Sequence, residues 1–274
     1  MMLQAMETGK VHLLPGLFAE RAEVNRAYLM ELENQGLLQN FYLEAGIIMP
    51  GLQVVEDPET ALLHWGWEAP TCQLRGHFLG HWMSAAAKLV AATGDVELKA
   101  KLIKIVDELE KCQKLNGGQW IGPIPEKYFK KLEREEYIWS PQYVMHKTLL
   151  GLMHAYQYAG IEQSLAILDG ISDWYVDWVK DMEVKNPHAV YSGEEGGMLE
   201  VWATLYELTG EEKYLALAKA YDHPSIFRKL EEGKDALTNC HANASIPWAH
   251  GAAKMCEITG DDRWKKLAED FFRF

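Results

Sequence analysis

Apolar residues recur along this chain with the 3.6-residue period of amphipathic helices. In 97–113, Leu98, Leu102, Ile105, Val106, Leu109 and Cys112 fall on one face, with Lys and Glu opposite. In 162–182 the stripe is Leu165, Leu168, Ile171, Tyr175, Trp178 and Met182; in 261–274 it is Trp264, Leu267, Ala268, Phe271 and Phe272. Four other runs, 77–92, 143–159, 196–208 and 244–258, are apolar or small on nearly every side. A helix with one charged face belongs outside a fold, and one that is apolar all round belongs inside. Inner and outer helices therefore alternate.

The junctions between them repeat. Thr93-Gly94-Asp95, Thr209-Gly210-Glu211 and Thr259-Gly260-Asp261 each close an inner run, and Ala159-Gly160-Ile161 is a weaker copy. Glycine suits the position after a helix, where φ turns positive. The acidic residue that follows caps or charge-stabilises the next helix start. Each copy reads as helix, tight turn, helix. The pattern predicts an all-α fold, an α/α toroid of antiparallel helix hairpins of the (α/α)6-barrel type. Residues 16–37 read as one further outer helix ended by Gly36, and 114–141, rich in Gly, Pro and aromatics, as an irregular insertion loop. No domain boundary shows, so 1–274 reads as a single domain.

If every inner helix starts at the same end, the residues around those starts share one rim. They are Arg75, His77 and His81; Trp139, Gln142 and His146; Glu194 and Glu195; and His241 and Asn243. Helix N-termini add inward-pointing N–H groups there. The plainer readings differ by residue. His154 and His250 lie mid-helix on apolar faces and read as core. His77 and His81 have a zinc-compatible i, i+4 spacing but no identifiable third ligand, so a structural or sugar-binding role is favoured and no metal is assigned. Of the adjacent Glu194 and Glu195, at most one points into a cavity. Cys240 reads as packing, and Cys112 and Cys256 as core.

A net charge of −13 argues against nucleic acid or an anionic membrane as partner. High Trp and Tyr content (10 and 12) leans toward a carbohydrate partner, whose C–H faces stack on rings. Four cysteines without a C-x-x-C pair suit a reducing compartment, and the charged N-terminus has no signal-peptide core, so a cytoplasmic location is expected.

Several ordered segments then carry a family likeness. R-G-H-F-L-G-H-W at 75–82 with the A-A-T-G-D turn, H-K-T-L-L-G-L-M-H-A-Y, E-E-G-G-M-L-E-V-W-A-T-L-Y-E-L-T-G at 194–210 and L-T-N-C-H-A-N-A-S-I-P at 237–247 resemble the bacterial β-L-arabinofuranosidases, glycoside hydrolase family 127 and its relatives. The likeness runs from about residue 60 to the end. It implies an (α/α)6 barrel and exo-acting, retaining hydrolysis of a terminal β-L-arabinofuranosyl or related sugar. It implies that His146, Glu195 and His241 hold that sugar, with the 75–81 segment as an adjoining wall. Relatives commonly carry His where Glu195 stands.

The resemblance also implies a zinc-bound cysteine nucleophile and a glutamic acid/base, all after the H-A-N segment. Cys72, Cys112, Cys240 and Cys256 match none of those motifs, so no nucleophile, acid/base or metal ligand is carried over. The chain is expected to hold no cofactor itself, with zinc belonging to a full-length enzyme. The pattern supplies about nine helices where six hairpins need twelve. Trp264, Phe271, Phe272 and Phe274 would then need cover from the remainder of a barrel or from self-association. Two rival readings remain: another α/α-barrel enzyme, an unsaturated uronyl hydrolase or polysaccharide lyase, or a non-catalytic helical-repeat binding scaffold.

Overall fold

The computed structural model describes residues 6, 8–48 and 63–274. The extreme N-terminus and the start of the family-like span near residue 60 lie outside the described residues. Twelve α-helices follow one another among those described: α1 (Leu17–Glu31), α2 (Asn34–Glu44), α3 (His77–Thr93), α4 (Val96–Leu115), α5 (Lys127–Glu133), α6 (Pro141–Ala159), α7 (Glu162–Lys185), α8 (Met198–Thr209), α9 (Glu212–Ala220), α10 (Pro224–Glu231), α11 (Ala242–Thr259) and α12 (Asp262–Phe271). No strand occurs among the described residues. The fold class is all-α and hairpin-built, as the periodicity predicts.

Nine helices become twelve for three local reasons. The 16–37 helix is two helices, because Leu32 and Glu33 are extended (ψ 124° and 135°). Lys101 Nζ of α4 donates to the carbonyls of Met30 and Leu32, so the broken end keeps its acceptors satisfied. Gly36 does not end a helix; it is buried in the first turn of α2. The 114–141 insertion contains α5, and α10 follows α9, its first residue Pro224 set in the favoured first-turn position.

The turns explain the repeated threonine as well as the glycine. Gly94, Gly160, Gly210 and Gly260 all have φ between 63° and 73°. Thr93, Thr209 and Thr259 each donate Oγ1–H to the carbonyl four residues back (2.6–2.7 Å). The same oxygen accepts the N–H of the acidic residue beyond the glycine (3.2–3.3 Å). The hydroxyl thus ties both helix ends together. The acidic residues then differ: Asp95 accepts from Glu97 N and Leu98 N and also pairs with Arg26, whereas Glu211 makes no side-chain cap. Asp95→Ala is expected to cost about 1–2 kcal/mol, read as a lower urea midpoint, and Glu211→Ala less than about 0.5 kcal/mol.

The chain groups into two compact units, one of residues 1–124 with 147–170 and one of 125–146 with 171–274, so α6 and α7 contribute to both. In the first, the α4 stripe Leu98, Leu102, Ile105, Val106, Leu109 and Cys112 is wholly buried, as are Leu79, Trp82, Met83, Ala86 and Ala87 of α3. His154 of α6 is buried with Nδ1 2.7 Å from Ser84 Oγ, and burial pushes its pKa down to about 3, so it is a neutral core histidine.

In the second unit, Phe129 of α5 sits edge-on to Trp174, Tyr175 and Trp178 of α7, with ring centroids 5.0–5.9 Å apart. This contact pins the insertion down. Trp264, Leu267 and Phe271 of α12 are buried, Trp264 edge-on to Phe227 of α10 at 5.8 Å. Of the terminal aromatic stripe, Trp264 and Phe271 are buried, and Phe272 and Phe274 are exposed. Two further expectations fail on α11. It is not buried all round, since Ile246 and His250 face solvent, and His250, read as core, lies 3.8 Å from Glu200 with an exposed ring. Cys256 is half-buried and not a core residue.

Candidate functional site

The second unit gathers its polar groups around one sharp turn, Ser192-Gly193-Glu194-Glu195-Gly196-Gly197. Gly193 and Glu194 both adopt left-handed φ (77° and 60°), which sends the two adjacent carboxylates in different directions. Glu195 is buried and Glu194 half-exposed. The two glycines that follow admit close neighbours. A Cβ on Gly197 would lie 2.3 Å from the His146 ring, and one on Gly196 would lie 2.0 Å from the Ala244 carbonyl. The turn therefore brings Glu195, His146 of α6 and the first turn of α11 together.

Gln142, one turn before His146, fixes the turn from below. Its Nε2 donates to the carbonyls of Val190 (2.9 Å) and Ser192 (2.7 Å), and its Oε1 accepts from Tyr221 OH (2.6 Å). The backbone N–H groups of Gln142 and Tyr143 both donate to the Gly193 carbonyl. Gln142→Leu strands three buried polar groups and is expected to cost about 3 kcal/mol or more, measured as loss of stability in urea.

Glu195 has two partners that its sequence position does not announce. Trp248 Nε1 donates to Glu195 Oε1 at 3.1 Å, and His223 Nε2 lies 3.7 Å from the same oxygen. The His223 ring packs against Tyr191 and Trp248 at 5.0 and 5.3 Å. Burial raises the Glu195 pKa to about 7, with the nearby Glu194 charge adding to it. Burial lowers that of His223 to about 4. At neutral pH His223 is thus uncharged, and Glu195 shares its population between acid and carboxylate. Such a carboxyl can either donate to or accept from a sugar hydroxyl. His223 precedes Pro224 at a helix start, a cue of the same kind that singled out the other rim residues; Trp248 carries no local signal.

The remaining predicted residues divide by place. His241 is the N-cap residue of α11, with its ring exposed and its carbonyl accepting from Ala244 and Ser245; Asn243 is exposed in the same first turn. Trp139 is 36% exposed, two residues before α6. His77 and His81 belong to the first unit, at the start of α3. His77 is buried, its Nδ1 2.7 Å from Glu68 Oε1 and 3.0 Å from the Leu74 carbonyl. His81 reaches solvent, yet crowding and the nearby Lys147 lower its pKa to about 4. Arg75 is buried and pairs with Glu44 at 2.6 Å. Burial disfavours the Glu68 charge, but hydrogen bonds from His77, Phe78 N and Gly76 N outweigh that and hold its pKa low. Glu68, like His223, was not singled out in the sequence.

Among the described residues no three His, Cys, Asp or Glu side chains come together as a metal cage, and no helix is long and apolar enough to cross a membrane. Comparison with curated proteins finds no match. The family model described as Beta-L-arabinofuranosidase, GH127 catalytic domain, matches residues 10–274.

Proposed function

Because the chain belongs to the beta-L-arabinofuranosidase family of glycoside hydrolases whose catalytic domain it matches, we propose that it supplies the sugar-binding half of an exo-acting site for terminal β-L-arabinofuranosyl or related residues. The observation that carries this reading is the buried Glu195 beside the His146 ring, brought together by a double-glycine turn. A furanose presents hydroxyl groups that both donate and accept. Glu195, with a pKa near neutrality, can meet either demand. His146 and His241 complete the hydroxyl contacts, and His223 and Trp248 hold the Glu195 carboxyl in place. The same reading takes carbohydrate, and neither nucleic acid nor membrane, as the partner. It sets the protein in the cytoplasm, with its four free cysteines in support.

Retaining hydrolysis also needs a nucleophile and an acid/base on either side of the anomeric carbon, and this reading assigns the residues around Glu195 to sugar binding and to neither of those roles. Methyl β-L-arabinofuranoside is expected to bind the 274-residue chain in calorimetry, and His146→Ala or His241→Ala to weaken it about tenfold, a loss of one charge- or dipole-assisted hydrogen bond. No turnover of an aryl β-L-arabinofuranoside is expected from this chain by itself. A covalent intermediate on any residue within 1–274 would overturn that division. The Glu195 pKa near 7 also suits an acid/base in an uronyl hydrolase or lyase; a thermal shift with an oligouronide and none with the arabinofuranoside would favour that chemistry.

A further inference from the structure

Helix α1 carries two stripes at helical spacing, and the fold covers only one of them. Ala19, Ala22, Arg26 and Leu29 lie three and four residues apart and face inward. Leu29 is buried, and its carbonyl accepts from Trp82 Nε1 of α3 at 3.1 Å. Arg26 pairs with Asp95 and, at 2.8 Å, with Glu97 at the start of α4. These contacts fix the orientation of the helix.

The other stripe is Leu17, Arg21, Val24 and Tyr28, with Phe18 beside it, and all five are exposed. Its spacing of four, three and four is that of a coiled-coil seam. Leu13 and Leu14, just before the helix, are exposed as well. The six apolar side chains are between 48% and 81% exposed. Together they present on the order of 800 Å², more than a monomer usually leaves bare and the share each partner gives to a standard interface.

Charge decides the occupant. Glu20, Glu23 and Glu31 flank the stripe and are exposed, which disfavours an anionic lipid surface. Arg21 stands in the seam, where one polar residue fixes register and orientation. A parallel, in-register pair of these helices would set Arg21 against Arg21. An antiparallel pair crossing between residues 20 and 21 sets Arg21 of each copy against Glu20 of the other, and Leu17 against Val24. The face is thus complementary to itself about a two-fold axis.

We propose that the exposed face of α1 is a docking surface for a second copy of this chain, joined through an antiparallel α1–α1 seam. Sedimentation of the 274-residue chain is expected to show a dimer at about 50 μM, the weak end for an interface of this size. The double variant Leu17→Glu with Val24→Glu should be monomeric at the same concentration, with its helical circular dichroism unchanged because both positions are exposed. Disulfide capture with diamide reads the register independently. Arg21→Cys should give a covalent dimer that the unmodified chain does not. Tyr28→Cys should not, since the two Tyr28 positions would lie about 22 Å apart, beyond disulfide reach. A monomeric unmodified chain, a dimer that survives the double variant, or equal capture at positions 21 and 28 overturns the proposal.

Discussion

Replacing Gly80 with alanine is expected to lower stability by at least about 3 kcal/mol, beyond the usual range for an overpacked core position. A Cβ there would lie 2.0 Å from the carbonyl oxygen of Lys147 and 2.3 Å from its carbonyl carbon. These are backbone atoms, so no side chain can swing aside. The facing residue is Gly151, whose own Cβ would come 2.9 Å from Gly80 Cα. Helices α3 and α6 therefore meet backbone to backbone, and a single methyl group must push them apart. For a chain of this size the loss corresponds to a fall of roughly 5 °C in melting temperature. A variant that melts within 2 °C of the unmodified protein would show that the close approach is not obligatory.

Glu195→Gln should show the opposite sign, with an effect that grows from about pH 4.5 and levels off just above pH 7. The carboxyl has its ordinary pKa of 4.5 in the unfolded chain and about 7 when buried. Between those values the folded state holds a proton that the unfolded state has lost, so rising pH favours unfolding. The stability is complete below about pH 4.5 and is lost as pH passes 7, a difference of about 3 kcal/mol from 1.36 kcal/mol per unit. Glutamine keeps the acceptor for Trp248 and carries no charge. The variant is expected to gain up to about 3 kcal/mol over the unmodified chain at pH 8 and almost nothing at pH 4.5, measured by urea denaturation at both. Its affinity for methyl β-L-arabinofuranoside should fall, as when a destabilised site is relaxed at the expense of function. An equal effect at both pH values would mean that Glu195 is not held protonated by burial.

Much of the helical organisation was legible because it rests on local rules. The α4 stripe, the α8 interior and the positive φ at four glycines follow from periodicity and from the steric cost of a Cβ. The role of the threonine in T-G-D was not read, although it lies in the same three residues. Its hydroxyl acts on a carbonyl one turn back, and the spacing alone does not say which way it points. The break in 16–37 was missed for a related reason: Lys101, about 70 positions away, caps the broken end. Helix α10 was passed over because it is short, although Ile226, Phe227 and Leu230 give it a buried apolar face.

The candidate site divides along the same line. The chain order of polar residues at helix starts placed His146, Glu195 and His241 among ten rim candidates, and the family resemblance is what implied those three as sugar-holding. The order alone did not separate Glu195 from Glu194, because the left-handed turn at Gly193 and Glu194 decides which carboxyl is buried. Nor did it point to His223, Trp248 or Glu68, each of which matters through a partner that is distant in sequence or through a hydrogen bond to another helix's end. The sequence by itself determined the all-helical hairpins and where their polar ends fall, since both follow from side-chain period and backbone sterics within a few residues. Only the tertiary structure decided which of those polar groups lose water and meet one another. Burial and charge pairing depend on neighbours brought in from elsewhere in the chain, and it is burial that turns Glu195 from a surface carboxylate into an acid poised near neutrality.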